Sequence, residues 1–111
     1  MEIMMFVVAD PEVDAGEVDQ VASAEWDRVM AERGVFKRAM RLRPVDEAVT
    51  VRVRGGEVIV TDGPFTESKE WIAGYDIIEA DDLDDAIAIA SKHPMARFGR
   101  IEIRPVWPFE G

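Results

Sequence analysis

The spacing of apolar residues changes several times along this chain, and each change marks an element boundary. Residues 3–9 (Ile-Met-Met-Phe-Val-Val-Ala) form an unbroken apolar run that stops at Asp10-Pro11, which predicts a central strand buried on both faces. Residues 10–19 are acid-rich with one proline and one glycine, and predict a loop. Across residues 21–33, Ala22, Trp26, Val29 and Met30 recur at helical spacing, and Gly34 follows where a left-handed residue ends a helix. Residues 35–42 have no clean period. They predict a short strand that stops before Arg43-Pro44, because the residue preceding proline is pushed out of the helical region.

Residues 48–54 alternate, with Val49, Val51 and Val53 on one side and Thr50, Arg52 and Arg54 on the other. Gly55-Gly56 supplies the positive φ angles of a tight turn, and Val58, Ile59 and Val60 return as the second strand of a hairpin. Turn chemistry follows at Asp62-Gly63-Pro64-Phe65, then an irregular helical turn over residues 66–72 with Trp71 and Ile72 packing inward. Residues 74–79 predict a strand. A second helix opens on Asp81 or Asp82, whose carboxylates face the orphan N–H groups and the positive end of the helix dipole. Leu83, Ala86, Ile87 and Ala90 form its expected buried stripe, with Lys92 and His93 as C-terminal cations before Pro94. Residues 100–106 alternate as a last strand, which Pro105 confines to an edge or a strand end.

Two helices against a mainly antiparallel sheet make a single α+β domain over residues 1–111, of the ferredoxin-like arrangement. Both helices cover one face. An apolar second face needs a partner, and a two-fold homodimer is the commonest solution.

Composition narrows the function classes. The 111 residues include no cysteine, which excludes disulfides, thiolate metal sites and cysteine nucleophiles and fits a reducing cytoplasm. Twenty-three acids against thirteen bases give a net charge of -10, so neither nucleic acid nor an anionic membrane is an expected partner. The local basic cluster of Arg33, Lys37, Arg38, Arg41 and Arg43 predicts solvated strand and loop charges. No apolar run approaches the roughly 20 residues of a membrane span. The N-terminal run carries Glu2 and lacks a basic leader, so no signal peptide is expected.

The motifs carry a resemblance. Val60-Thr61-Asp62-Gly63-Pro64-Phe65-Thr66-Glu67-Ser68-Lys69-Glu70, then Gly74-Tyr75, Ile78-Glu79-Ala80-Asp81-Asp82-Leu83-Asp84-Asp85-Ala86, His93-Pro94 and Gly99-Arg100-Ile101-Glu102-Ile103-Arg104-Pro105-Val106 occur in an order that resembles the DGPF branch of the YCII-related proteins. The resemblance covers nearly the whole chain. It implies a ferredoxin-like fold that dimerises as an α+β barrel, and bacterial, cytoplasmic members, some encoded beside extracytoplasmic-function sigma factors. Some YCII-type relatives carry a histidine in the first helix, paired with an aspartate, for which a catalytic role is proposed. This chain departs there, with Trp26 and Asp27 in the first helix but no histidine.

Candidate chemistry centres on two places. In the DGPF loop, Asp62 is a potential general base or hydrogen-bond acceptor, Phe65 a cover for an apolar ligand, and Lys69 a carboxylate anchor; Trp71 lies close by in sequence. The same residues also make good turn and core residues, with Asp62 capping the turn and Phe65 filling space. His93 is the only histidine, and a catalytic role for it requires an acid partner and a pocket; otherwise it is a helix C-terminal cation. One histidine with scattered acids makes no zinc site. Asp81, Asp82, Asp84 and Asp85 lack the spacing and central glycine of a calcium loop, and no phosphate cradle is present, so neither metal nor cofactor is expected. Trp26, Trp71 and Trp107 are read as core or interface residues. These observations favour a dimeric domain acting in regulation or small-molecule sensing, with sigma-factor-linked regulation as one form. The rival is a small enzyme of the dimeric α+β barrel type, in which Asp62, Lys69 and His93 meet in one pocket around a small apolar or carboxylated substrate. A purely structural interaction module is the third possibility.

Overall fold

The computed structural model describes residues 1–10, 20–63 and 71–109, and the side chains of residues 20–23 are not among those described. Six strands and two helices occur among these residues: β1 (Glu2–Ala9), α1 (Gln20–Glu32), β2 (Phe36–Arg41), β3 (Val49–Arg54), β4 (Glu57–Asp62), β5 (Trp71–Glu79), α2 (Leu83–Ser91) and β6 (Gly99–Pro105). Short 3-10 turns lie at Val45–Glu47 and Pro94–Arg97. Four strands make one antiparallel sheet in the order β2-β5-β1-β6, and β3 and β4 pair only with each other. With the hairpin set aside, the strand order and the two helices are those of the ferredoxin-like fold, as the element order predicts.

The core lies between the sheet and its helices. Strict alternation along β1 buries Ile3, Met5, Val7 and Ala9, against which Ile78, Trp26, Met30, Ala86 and Ile89 pack. The other side of β1 (Met4, Phe6, Val8) is half-buried in the single chain, so β1 is buried on one face rather than two. Helix α1 ends as its glycine requires. Gly34 takes φ 69°, its N–H donates to Ala31, and Val35 donates back to Met30 while burying its own side chain.

Helix α2 starts at Asp82, whose side chain accepts from the Asp85 N–H at 2.8 Å, while the Asp85 carboxylate accepts from the Asp81 N–H at 2.9 Å. Its buried stripe is turned relative to the expected one. Ala86, Ile89 and Ala90 are buried, whereas Leu83 and Ile87 are 46% and 50% exposed. The reason is that only one flank of α2 lies over the sheet, and Leu83 and Ile87 overhang the edge strand β6, where they line an open groove.

The helical turn expected over residues 66–72 is corrected at its C-terminal end. Trp71 and Ile72 already belong to β5, paired with Ala9 and Val8, and Ile72 is exposed. Residues 64–70, including Pro64, Phe65 and Lys69, lie outside the described residues, as do residues 11–19 of the first loop.

The hairpin β3–β4 forms as its sequence predicts. Gly55 and Gly56 have φ of 57° and 81°, the primed turn that matches strand twist, and Arg54 faces Glu57 across it. The register places Val51 opposite Val60 and Val53 opposite Val58, so with Val49 five valines share one face. All five are 57–68% exposed.

Candidate functional site

Strand β5 is apolar at its inward positions except one. Gly74, Asp76, Ile78 and Ala80 all point to the helix side and are buried, which places a carboxylate in an otherwise apolar layer. A charged group at such a depth is costly unless partnered. Its neighbour is His93. The chain leaving α2 turns at Pro94, and the His93 side chain caps the 3-10 turn at Pro94–Arg97 by accepting from the Met95 N–H at 3.0 Å through Nδ1. This corrects the picture of His93 as a solvated helix C-terminal cation: the ring is turned inward and only 12% exposed.

The capping bond sets the tautomer. A nitrogen that accepts from a backbone N–H carries no proton, so the ring proton of the neutral imidazole sits on Nε2. Nε2 lies 3.3 Å from Asp76 Oδ2. That is within ion-pair range, yet Oδ2 has no aligned hydrogen-bond partner among the described residues. We take the contact as electrostatic proximity rather than a formed hydrogen bond, because strength falls steeply when the angle closes. Trp26 completes the cluster. Its ring stacks at a tilt on His93, with centroids 4.4 Å apart, and meets Phe36 edge-on at 5.1 Å. The Trp26 indole N–H is buried and has no partner among the described residues. Buried polar groups are almost always satisfied, so two unsatisfied ones beside a histidine mark a place where polar atoms converge without being used by the fold.

Chemically, the cluster sets one N–H donor, His93 Nε2, beside one carboxylate acceptor, with the Trp26 ring packed on the imidazole. It can hold a small group that both accepts and donates a hydrogen bond, and it pairs an acid and a base that could pass a proton through that group. The described residues contain no grouping of three or more metal-ligating side chains.

The residues singled out in the sequence are distributed as follows. Asp62 ends β4, exposed, paired with Val49, and next to Gly63, which is tied to Ala48 and Thr50. It shares no recorded contact with His93, whose neighbours are Asp76, Met95 and Trp26. Trp71 opens β5, half-buried; Phe65 and Lys69 lie outside the described residues. Trp107 is exposed, so the three tryptophans do not line one cavity. The cluster includes one residue that pattern reasoning passed over, Asp76. The signal was present: within Gly-Tyr-Asp-Ile-Ile-Glu the aspartate occupies an inward parity position, where a charged residue needs a reason.

Among the described residues, the groups with clearly displaced proton affinity are Lys37 and Glu79, at the end of the sheet near Met1. Glu2, and then Glu79, raise the Lys37 amine above its ordinary value, and the Glu79 carboxyl is lowered first by the Met1 amine and also by Lys37. These groups are solvent-exposed and belong to surface ion pairs, not to the cluster.

Comparison with known proteins places the chain in a family. The model of the YCII-related domain matches residues 1–110. An uncharacterized protein of Rhizobium meliloti (strain 1021), R00369, is 38% identical over 81 residues, covering 71% of this chain. The match spans 65% of that relative's length. With a family match over nearly its whole length, the chain belongs to the YCII-related domain family.

Proposed function

We propose that this domain binds a small hydroxyl- or carbonyl-bearing molecule at the Trp26–Asp76–His93 cluster and that Asp76 and His93 act on it as an acid–base pair. The observation that carries this reading is the buried Asp76 Oδ2, without an aligned hydrogen-bond partner among the described residues and 3.3 Å from Nε2 of His93. A group left in that state costs stability, commonly about 1–3 kcal/mol, and a ligand that satisfies it recovers the cost on binding. Sigma-factor-linked regulation, the DGPF assignment and a cytoplasmic location rest on the sequence resemblance; no helix among the described residues is long and apolar enough to cross a membrane.

Because His93 is the only histidine, its imidazole gives one unambiguous set of nitrogen signals. The test is a screen of small hydroxy and oxo compounds watched through those signals. A binder should move Nε2 more than Nδ1, and Asp76→Asn should weaken it at least tenfold with the fold intact by circular dichroism. A binder indifferent to Asp76→Asn, or no binder at all, would remove the reading.

A further inference from the structure

The overhang of α2 forms one wall of a groove that the acid–base cluster does not use. Leu83 and Ile87 project past the sheet, 46% and 50% exposed, and face Ile101 and Ile103 of β6. A helix that only covers a sheet carries polar residues where it overhangs; α2 carries leucine and isoleucine there. The groove holds about 660 Å³, within the roughly 300–1,000 Å³ usual for small-molecule sites. Its walls are elongated. Helix α2 runs about 12 Å from Leu83 to Ser91, and β6 about 17 Å from Arg100 to Pro105.

The chemistry of the groove changes along its length. Leu83 and Pro105 stand at one end, where the helix starts and the strand closes, and Ser91 and Arg100 at the other. The stretch between is aliphatic. The Ser91 hydroxyl donates to the Ala88 carbonyl at 2.8 Å, so Arg100 is the lining side chain suited to donate to an anion. A guanidinium carries five N–H donors in a fixed fork, enough to serve a carboxylate in addition to other contacts. Among the described residues that line the groove, Arg100 is the only charged one, and its sign is opposite to the chain's net charge of -10. A neutral hydrocarbon gains nothing from that charge, and a cationic amphiphile meets it with like sign.

We propose that the α2–β6 groove binds a free, linear, medium-chain carboxylate, its acyl chain lying along Leu83, Ile87, Ile101 and Ile103 and its carboxylate on the Arg100 guanidinium. Burial of the chain supplies the affinity, and the guanidinium fork sets the direction in which the molecule lies. The site is separate from Asp76 and His93 and does not depend on the acid–base reading.

The test titrates the straight-chain carboxylates from hexanoate to decanoate, each as the monomer, into the full chain and follows the isoleucine methyl signals. Those of Ile87, Ile101 and Ile103 should move, and that of Ile59 in the hairpin should not. Affinity should rise with each added methylene, by up to about fourfold, until the chain fills the groove. Octanoate should bind more tightly than octanol to the unaltered chain, and Arg100→Gln should reverse that order. Ile87→Asp should abolish both, with helix content unchanged by circular dichroism, whereas Asp76→Asn should leave both as they are. Octanol binding the more tightly to the unaltered chain, or an order indifferent to Arg100→Gln, would overturn the proposal. So would methyl shifts centred on the hairpin, or no shift with any of the acids. A response to phosphatidylglycerol vesicles without one to the monomeric acids would equally overturn it, because the groove would then be a membrane contact.

Discussion

The four-stranded sheet and the β3–β4 hairpin are built from the same kind of sequence and end in opposite states. Both set apolar side chains at every second position along a strand. In β1 the alternating side chains Ile3 and Met5 are fully buried, whereas in β3 Val49, Val51 and Val53 face solvent. The difference lies in what the chain provides next. After β1 and β5 come helices that cross back over the strands, and their apolar stripes close the layer. After β3 comes only β4, a turn away, so among the described residues nothing closes over the valine face. Alternation specifies which side is apolar; connectivity decides whether that side is filled.

The comparison can be broken most sharply by truncating one apolar residue from each region. Ile78→Ala removes a fully buried side chain from the sheet and should cost about 2–5 kcal/mol in denaturant unfolding. That loss should not depend on protein concentration. Val51→Ala removes an exposed one and should change the unfolding of a dilute, unassociated chain by about 0.5 kcal/mol or less. Its effect should grow as concentration rises and association contributes to stability. Equal, concentration-independent losses would mean that the hairpin packs within its own chain.

Next in size is the backbone fit of the sheet. Gly99 opens β6 opposite Ala9, and a Cβ there would run into the carbonyl oxygen of Val8; at Gly74 it would stand 2.8 Å from the carbonyl oxygen of Met40. These obstacles are backbone and cannot swing aside. Gly99→Ala should therefore cost about 1–3 kcal/mol, measured by thermal unfolding. In the hairpin, by contrast, Gly55 and Gly56 have open space around them and are needed for their positive φ alone. Gly55→Asn, which tolerates that region, should be nearly neutral.

How far the sequence disclosed this molecule follows the same division. The hairpin, both helices and the ferredoxin-like order were legible because each rests on local signals: alternation, the paired glycines, Gly34 and Asp82. The rotation of the α2 stripe was not, since helical periodicity reports a face but not where the sheet ends, and Leu83 and Ile87 overhang that end. Trp71 and Ile72 were misassigned because a short apolar pair beside a proline-containing turn suits either a helical turn or a strand start. The cluster was half legible. His93 stood out as the only histidine, but its partner is 17 residues away along the chain, and only the strand crossing brings Asp76 beneath it.

A smaller effect tests a feature shared by neither region, the helix start. Asp82 holds the first turn of α2 through the Asp85 N–H. Asp82→Ala should cost about 1 kcal/mol, and Asp82→Asn, which keeps the accepting oxygen, should recover most of it. Because α2 bears Leu83 and Ile87, fraying there should also loosen the apolar groove they line beside β6.

The smallest effect lies at the end of the sheet, where Lys37 of β2 bridges Glu2 at 3.1 Å and Glu79 at 3.4 Å, and the Met1 amine also meets Glu79. The Glu79 carboxyl is held below its ordinary 4.5, chiefly by the hydrogen bond from the amine. Its contribution to stability is therefore complete above about pH 4.5 and is lost as the pH falls through the lowered folded-state value. Lys37 works in the opposite sense. Its amine is raised above 10.5, so its contribution is complete below that pH and disappears as the pH rises through the folded-state value. All of these groups are solvent-exposed, where ion pairs contribute little and salt weakens them further. Glu79→Gln should consequently flatten a shallow decline in melting temperature on the acid side, and Lys37→Met one on the alkaline side. Both differences should vanish in molar salt, where the screening length is about 3 Å, shorter than the contacts' reach through water. An acid-side decline that survives both Glu79→Gln and high salt would mean that this exposed bridge is not its source.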